Sequence, residues 1–551
     1  MKYVIVGGVA GGMSAATRLR RLQEDAEIIV FEKGSYVSFA NCGLPYYLSG
    51  EISERENLLI QTPESLAARF RLDVRVEHEV TAIFPETKEI EVSHGGKSHR
   101  ESYDALLLSP GAKPFIPEIT GLSEARNVFT VRNVPDVDVI MQKLKEHPRK
   151  AVVVGAGFIG IEVAENLKKR GLEVTIVERT PQVVPTLDEE MACFIQKELE
   201  RNDVQVLTDC SVTRFEEQGN VLRLANGKSL ASDLTILSVG VQPDSRLAEM
   251  AGLKLGLRGG IVVNEHYQTS DPDIYAVGDA ILVKHQITNE PALISLASPA
   301  NRQGRQVADN MAGHPRINQG SLGTAIVRAF DQTASSTGIN ERQARAAGLS
   351  FQVVHASGKD HAGYYPDATD LLLKLVFNPQ TGEIYGAQGI GQKGVDKRID
   401  ILATAIKGHL TVFDLPELEL SYAPPFGSAK DPVNMLGYIA MNVIEGLSEM
   451  VQWHELPTEL AQGKQLLDVR NKEEWQKGYF PEAVHIPLSE LRHRLGELDK
   501  AQEYIVSCHS GLRSYLAERI LKQNGFTVKN LDGAFYLYQA IRPEELSYPQ
   551  A

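Results

Sequence analysis

Lys150-Ala151-Val152-Val153-Val154-Gly155-Ala156-Gly157-Phe158-Ile159-Gly160-Ile161-Glu162 reads as a short apolar strand, a complete G-x-G-x-x-G turn and the start of a helix. In that context Gly155, Gly157 and Gly160 let the backbone approach a pyrophosphate, which the helix N-terminus then meets with N–H groups. The next strand, Glu173 to Val177, ends at Glu178. A carboxylate there suits a free ribose 2′-hydroxyl and repels a 2′-phosphate, which favours NADH. Arg179 beside it softens that preference, so NADPH stays possible.

A second copy of the pattern opens the chain. Tyr3 to Val6 is a strand, Gly7-Gly8-Val9-Ala10-Gly11-Gly12 a glycine turn, Met13 to Leu22 a helix, and Glu27 to Phe31 a strand ending at Glu32 and Lys33. Glu32 stands where a carboxylate accepts hydrogen bonds from a ribose diol. Val9 occupies the place of the second glycine, so this turn is the weaker of the two. Two such units imply a relay in which hydride leaves a nicotinamide and electrons pass on to something else.

The bounds are those of a large soluble protein. At 551 residues the chain exceeds one core and should hold three or four domains. With 57 basic against 71 acidic residues, the net charge of −14 argues against nucleic acid as a partner. The four cysteines, Cys42, Cys193, Cys210 and Cys508, have neither disulfide-scaffold nor metal-site spacing, so no metal is expected and a reducing cytoplasm fits. No apolar run is long enough to span a membrane, and the N-terminus lacks the features of a cleavable signal peptide.

Cys42 lies in Ser38-Phe39-Ala40-Asn41-Cys42-Gly43-Leu44-Pro45-Tyr46-Tyr47, with no second cysteine close behind it. A single thiol serving a redox relay must cycle through an oxidised form that involves an external atom. That form is either a sulfenic acid made by peroxide or oxygen, or a mixed disulfide with a small thiol. Either way the thiolate is the working species and calls for a positive or polar neighbour.

Thr269 to Asp279 resembles the second flavin fingerprint of the two-dinucleotide-binding flavoproteins. The resemblance implies FAD, with Gly278 preceding an Asp279 that bonds the ribitol, and with Leu108-Ser109-Pro110-Gly111 at the crossing between domains. Phe158 matches an aromatic that stacks where nicotinamide docks. Gly7–Gly12, Ser38–Pro45 and Ser421–Asp431 are similar to the coenzyme A-disulfide reductases, over roughly the first 445 residues. By that resemblance Cys42 forms a mixed disulfide with coenzyme A, and Ser14, Arg18, Arg21, Ser38, Asn41 and Lys430 line the coenzyme A site. Basic groups suit a ligand carrying a 3′-phosphate and a diphosphate. The family also implies a homodimer in which Tyr364 and Tyr422 reach the partner's active site, where a phenol serves the leaving thiolate. Peroxidase and oxidase relatives carry a histidine in the N-terminal turn; here Val9 and Ala10 stand there.

Further on, Leu466-Leu467-Asp468-Val469-Arg470, Ala483-Val484-His485-Ile486-Pro487 and Cys508-His509-Ser510-Gly511-Leu512-Arg513-Ser514 resemble a rhodanese domain. A strand-to-helix loop would wrap N–H groups around Cys508, with the helix dipole and Arg513 lowering the thiol's pKa and stabilising a persulfide. The six-residue Cys508–Arg513 loop suits sulfur transfer, since phosphatase relatives have one residue more. Asp468 and His485 read as structural.

The fold expected is α/β, with two Rossmann-like dinucleotide-binding domains, an α+β dimerisation domain and a C-terminal α/β rhodanese domain. The boundaries are 1–120 with 245–322 for FAD, 121–244 for NADH, 323–445 for dimerisation, a 446–460 linker and 461–551 for the rhodanese part. The leading reading is NADH-dependent reduction of coenzyme A disulfide, persulfide or polysulfide. The alternatives are an NADH oxidase or peroxidase using a Cys42 sulfenic acid, and a sulfur-trafficking or redox-sensing protein that acts on a partner.

Overall fold

A computed structural model describes residues 1–549. The chain falls into two compact units, residues 1–181 with 200–323, and residues 182–199 with the chain from 324 onward.

The first unit contains two five-stranded parallel sheets of one plan. The first orders its strands Ile274–Ala276, Ala105–Leu108, Lys2–Val6, Glu27–Phe31 and Asp73–Arg75. The second orders them Val204–Leu207, Glu173–Val177, Lys150–Val154, Leu234–Leu237 and Val128–Phe129. Tyr3–Val6, Ile28–Phe31 and Ala151–Val154 are buried along their whole length, as strands covered on both faces must be. Each half carries a three-stranded antiparallel excursion at the same place in its order. These are Glu79–Phe84 with Glu89–His94 and Lys97–Ser102, and Val212–Glu216 with Val221–Leu224 and Ser229–Ala231. The duplication therefore extends well beyond the glycine turns.

The second unit joins an antiparallel sheet to a parallel one. The antiparallel sheet orders Ala325–Ala329, Gln332–Gly338, Ile384–Gly391, Asp370–Phe377 and Gln352–Lys359, with the helices Val395–Lys407 and Pro432–Ile444 packed on it. The parallel sheet orders Met450–Val451, Thr527–Leu531, Glu503–Ser507, Gln465–Asp468 and Val484–His485. Leu467, Val506, Cys508, Ala517 and Leu521 belong to its core.

Two boundaries differ from expectation. The 446–460 stretch is not a bare linker: Met450–Val451 is the edge strand of the C-terminal sheet, pairing with Asn530–Leu531, and Leu456–Ala461 is a helix. Residues 182–199, expected inside the 121–244 domain, cluster instead with the second unit. The physical reason is Lys374, fully buried among the apolar residues 371–377 of the strand Asp370–Phe377. Its ammonium needs counter-charges and finds Asp188 at 2.8 Å, Glu341 at 2.6 Å and Glu190. The three carboxylates lie close enough to hold a metal ion, but the ammonium already occupies the space between them. Among the described residues no helix is long and apolar enough to cross a membrane.

Candidate functional site

The two glycine turns solve one steric problem in the same way. Gly7 and Gly155 have φ of +102° and +104°, and a Cβ on either would lie 2.1 Å from the Ser109 carbonyl oxygen or 2.3 Å from that of Ser238. A Cβ on Gly12 or Gly160 would strike the carbonyl oxygen of Gly7 or Gly155 at 1.9 and 2.0 Å. The middle position is different. Gly157 has an ordinary φ of −75°, nothing lies within 4 Å of its absent Cβ, and Val9 has φ −110°. Val9 therefore needs no left-handed backbone, although its ψ of −133° departs from the −174° of Gly157.

Glu32 and Glu178 are equally matched. Glu32 Oε2 accepts from Gly8 N at 2.9 Å and Oε1 from Gly34 N at 2.8 Å. Glu178 Oε2 accepts from Ala156 N at 2.7 Å, while Oε1 accepts from Thr180 N at 2.8 Å and Thr180 Oγ1 at 2.9 Å. Each carboxylate closes its own glycine turn and keeps lone pairs for a ribose diol. Lys33 pairs with Asp244 at 3.0 Å, and the Gly111 carbonyl after Pro110 accepts from Asp244 N at 3.0 Å.

Asp279 follows Gly278, whose N–H donates to Gln303 Oε1 at 2.7 Å. Burial pushes the Asp279 carboxyl up and Arg132 opposes it. Among the described residues no donor reaches this carboxylate within hydrogen-bonding distance, which fits a polyol carried by a ligand. With the cradle at Gly7–Gly12, the residues present fit FAD, and Gly155–Gly160 with Glu178 fit a nicotinamide dinucleotide. Phe158 is half-buried at the start of the helix Phe158–Lys169.

The Cys42 loop is tied to the first turn: Ser38 N donates to Gly8 O at 2.9 Å, and Ala40 N to Leu58 O at 2.8 Å. Ser38 is left-handed, at φ +47°. Asn41–Gly43 makes one 3₁₀ turn leading into the helix Leu44–Ser49, so Cys42 stands at a helix start with its residue exposed. The charges that act on this thiol are acidic. Burial of the sulfur, then the Glu162 and Asp279 charges, push the thiol up. Glu162, on the helix behind the second glycine turn, accepts from Tyr46 Oη at 3.0 Å. Glu162 and Tyr46 were not among the sequence-derived site residues, although Tyr46 lies inside the quoted cysteine stretch.

Five of the six residues assigned to coenzyme A belong to the first unit. Ser14, Arg18 and Arg21 recur along the helix Ala10–Leu22, with Arg21 exposed. Ser14 Oγ donates to Asn301 at 2.7 Å, and Arg18 Nε donates to Asp309 at 2.7 Å, a carboxylate also paired with Arg316. Ser38 and Asn41 belong to the cysteine loop. Lys430 is an exposed side chain of the second unit. Tyr364 and Tyr422, also in that unit, are exposed, 76% in the case of Tyr364, with their hydroxyls 3.0 Å apart.

Cys508 directly follows the strand Glu503–Ser507 and is 1% exposed. Gly511 N donates to its Sγ at 3.1 Å, and its own carbonyl and that of His509 accept from Phe535 N and Tyr536 N at 3.0 and 2.9 Å. Arg513 does not stand as a free cation over this thiol. Its guanidinium is paired fork-to-fork with Glu474, both contacts at 2.6 Å, and Arg513 leads the forces that hold the Glu474 carboxyl down to about 2. Glu474 was missed from sequence; the available signal was Asn471-Lys472-Glu473-Glu474, which is a capping box. Asp468 bonds Arg470 inside the core, and His485 meets the Arg470 carbonyl at 2.8 Å while stacking on Trp475, so both hold the scaffold beneath the loop.

Residues 1–304 match the family model of the pyridine nucleotide-disulphide oxidoreductases, 324–431 the dimerisation domain of that family, and 452–541 the rhodanese-like domain. The reduced CoADR-RHD of Bacillus anthracis is similar in structure, with TM-score 0.98, 50% identity and 99% of each chain covered. A NAD-dependent persulfide reductase from A. fulgidus has TM-score 0.93 at 39% identity, covering 98% of this chain and 100% of that one. The coenzyme A disulfide reductase of Staphylococcus haemolyticus is 37% identical over 446 residues, 80% of this chain and 100% of the relative.

Proposed function

The chain belongs to the pyridine nucleotide-disulphide oxidoreductase family, and on that premise we propose that it uses NADH to reduce coenzyme A disulfide or persulfide through Cys42, with Cys508 carrying sulfane sulfur. The observation that carries this reading is the single free thiol, Cys42, of a loop hydrogen-bonded to the first glycine turn. With no internal partner, the sulfur bonded to oxidised Cys42 comes from the substrate.

FAD and NADH, when bound, supply the two-electron relay. The protein's own residues do the rest. Gly7–Gly12 with Glu32, and Gly155–Gly160 with Glu178, hold and orient the two dinucleotides, and Asp279 bonds the ribitol. Glu178 directs the choice towards NADH. Cys42 Sγ⁻ attacks the coenzyme A sulfur of CoA–S–SH, forming Cys42–S–S–CoA and releasing HS⁻. Two electrons then cleave the mixed disulfide to the Cys42 thiolate and CoA–S⁻. With CoA–S–S–CoA the first leaving group is CoA–S⁻. Ser14, Arg18, Arg21, Ser38, Asn41 and Lys430 hold the coenzyme A, and in a homodimer Tyr364 and Tyr422 donate to the leaving thiolate. Cys508 takes up sulfane sulfur as a persulfide and passes it on.

Mass spectrometry of the purified protein tests the assignment: coenzyme A attached at Cys42 is the expected adduct. NADH-dependent sulfide release from coenzyme A persulfide that survived Cys42→Ser would overturn it.

A further inference from the structure

Glu474 has no part in the reaction described above, yet it governs the charge of the Cys508 loop. We infer that Glu474 is a specificity-determining residue: by holding Arg513 in a bidentate pair it turns the Cys508 loop away from donors whose reacting group is a dianion, such as thiosulfate, and towards organic persulfides, whose charged groups, where they have any, lie far from the reacting sulfur. This deepens the sulfur-carrier reading of Cys508 and rests on it.

The loop offers backbone donors but little free positive charge. Both nitrogens of Arg513 that face Glu474 are used, at 2.6 Å each. Arg470 is buried and committed to Asp468 at 2.7 Å. His509, the remaining basic side chain of the loop, is pushed towards its neutral form by burial, an effect that Arg513 and Arg470 reinforce against Glu474. Beside the loop, Leu512 and Leu516 lie one helical turn apart and are 61% and 43% exposed. That surface is apolar where an oxyanion would need donors and charge, and it suits the carbon body of a thiol.

The two donors differ in the charge the loop must bear. With a persulfide, Cys508–S⁻ attacks the outer sulfur of R–S–SH, the old S–S bond breaks, and Cys508–S–SH and R–S⁻ result, with one negative charge before and after. With thiosulfate, Cys508–S⁻ and S–SO₃²⁻ give Cys508–S–S⁻ and SO₃²⁻, gathering three negative charges at one loop. A guanidinium held by its own carboxylate does little for the second reaction, whereas a released one would help it.

Glu474→Gln tests this cleanly. Glutamine keeps the capping role, since Glu474 Oε2 accepts from Asn471 N at 3.0 Å and an amide oxygen can do the same. Thiocyanate formation would be followed in the full-length flavin-loaded enzyme with cyanide as acceptor and with thiosulfate or coenzyme A persulfide as donor. In Glu474→Gln the thiosulfate-to-persulfide ratio of kcat/KM should rise about tenfold, the scale of one charge-assisted hydrogen bond. Adding Arg513→Gln should erase the gain, which a mere loosening of the loop would not do. An unmoved ratio, or a gain that persists without Arg513, overturns the assignment of Glu474. Absence of thiocyanate from either donor in every variant overturns the carrier role of Cys508, and the Glu474 assignment with it.

Discussion

Cys42 and Cys508 are two thiols kept in opposite ways. Cys42 is exposed, feels the charges of two acidic side chains, and lies in a loop joined to a glycine turn through the Ser38 N–H. Cys508 is buried, receives an N–H from Gly511, and takes its position from the first residues of the helix Ala534–Ile541. An exposed thiol at a glycine turn suits a port where a large disulfide docks and electrons arrive. A buried one that receives a backbone N–H suits a carrier that must shelter a reactive sulfur. On the proposed reading the contrast means that the two cysteines divide the labour and should fail separately.

The sharpest break in that comparison comes from single substitutions. Cys42→Ser should lower NADH oxidation with coenzyme A disulfide by about a thousandfold or more, because the proposed nucleophile is gone. Cys508→Ser should leave that rate within about twofold, since no bond to Cys508 forms on this path. Steady-state NADH oxidation decides the matter. Equal losses in both variants would mean that the reductase and the carrier are one obligatory path.

What holds each loop differs as well. The helix start at Ala534 follows Asp532, whose carboxylate accepts from His355 N at 3.0 Å and from the His355 ring at 2.8 Å. The other ring nitrogen faces Glu190 at 3.3 Å, and Glu190 in turn bonds Lys374. The Cys508 loop thus rests on a buried lattice of charge. Lys374→Met would leave Asp188, Glu190 and Glu341 facing one another without their cation. The expected loss is about 3–5 kcal/mol in urea or thermal unfolding of the second unit. A variant as stable as the parent would show that these carboxylates take up protons at no cost.

The lattice also marks where the sequence stopped being legible. Both glycine turns, their strands and the Cys508 loop could be read because each is local, with spacing that carries its own steric reason. Lys374 inside Leu371-Leu372-Leu373-Lys374-Leu375-Val376-Phe377 announces a buried charge, but nothing local says that its partners lie at 188, 190 and 341. The Arg513–Glu474 pair joins positions 39 residues apart, and the acidic surroundings of Cys42 come from another helix and another strand end. Short-range geometry was visible; the pairing of charges across the fold was not.

His355 extends the comparison to pH. Burial works against its proton, but Asp532 and the bond to Glu190 overcome that and raise it from 6.5 to about 9, with Lys374 opposing. A histidine raised on folding stabilises fully below its unfolded pKa, and the contribution is lost as pH rises through the folded value. The second unit should therefore lose stability between about pH 6.5 and pH 9, and His355→Gln should flatten that slope. Urea midpoints across the range provide the measurement. An unchanged slope in the variant would place the titration elsewhere.

Cys42 gives the smallest and most direct effect. Burial raises its thiol first, and the Glu162 and Asp279 charges add to that. Glu162→Gln removes one of these charges and leaves an amide oxygen that can still accept from Tyr46. The thiolate becomes easier to form, so the midpoint of iodoacetamide alkylation at Cys42 should move to lower pH. Below the midpoint the rate should rise several-fold, about the effect of one nearby charge in a partly solvated site. Tyr46→Phe keeps the Glu162 charge but frees it from the phenol, so it should move the midpoint slightly upward. Shifts in the same direction for both variants would show that the loop's packing, rather than the carboxylate, sets the thiol's proton affinity.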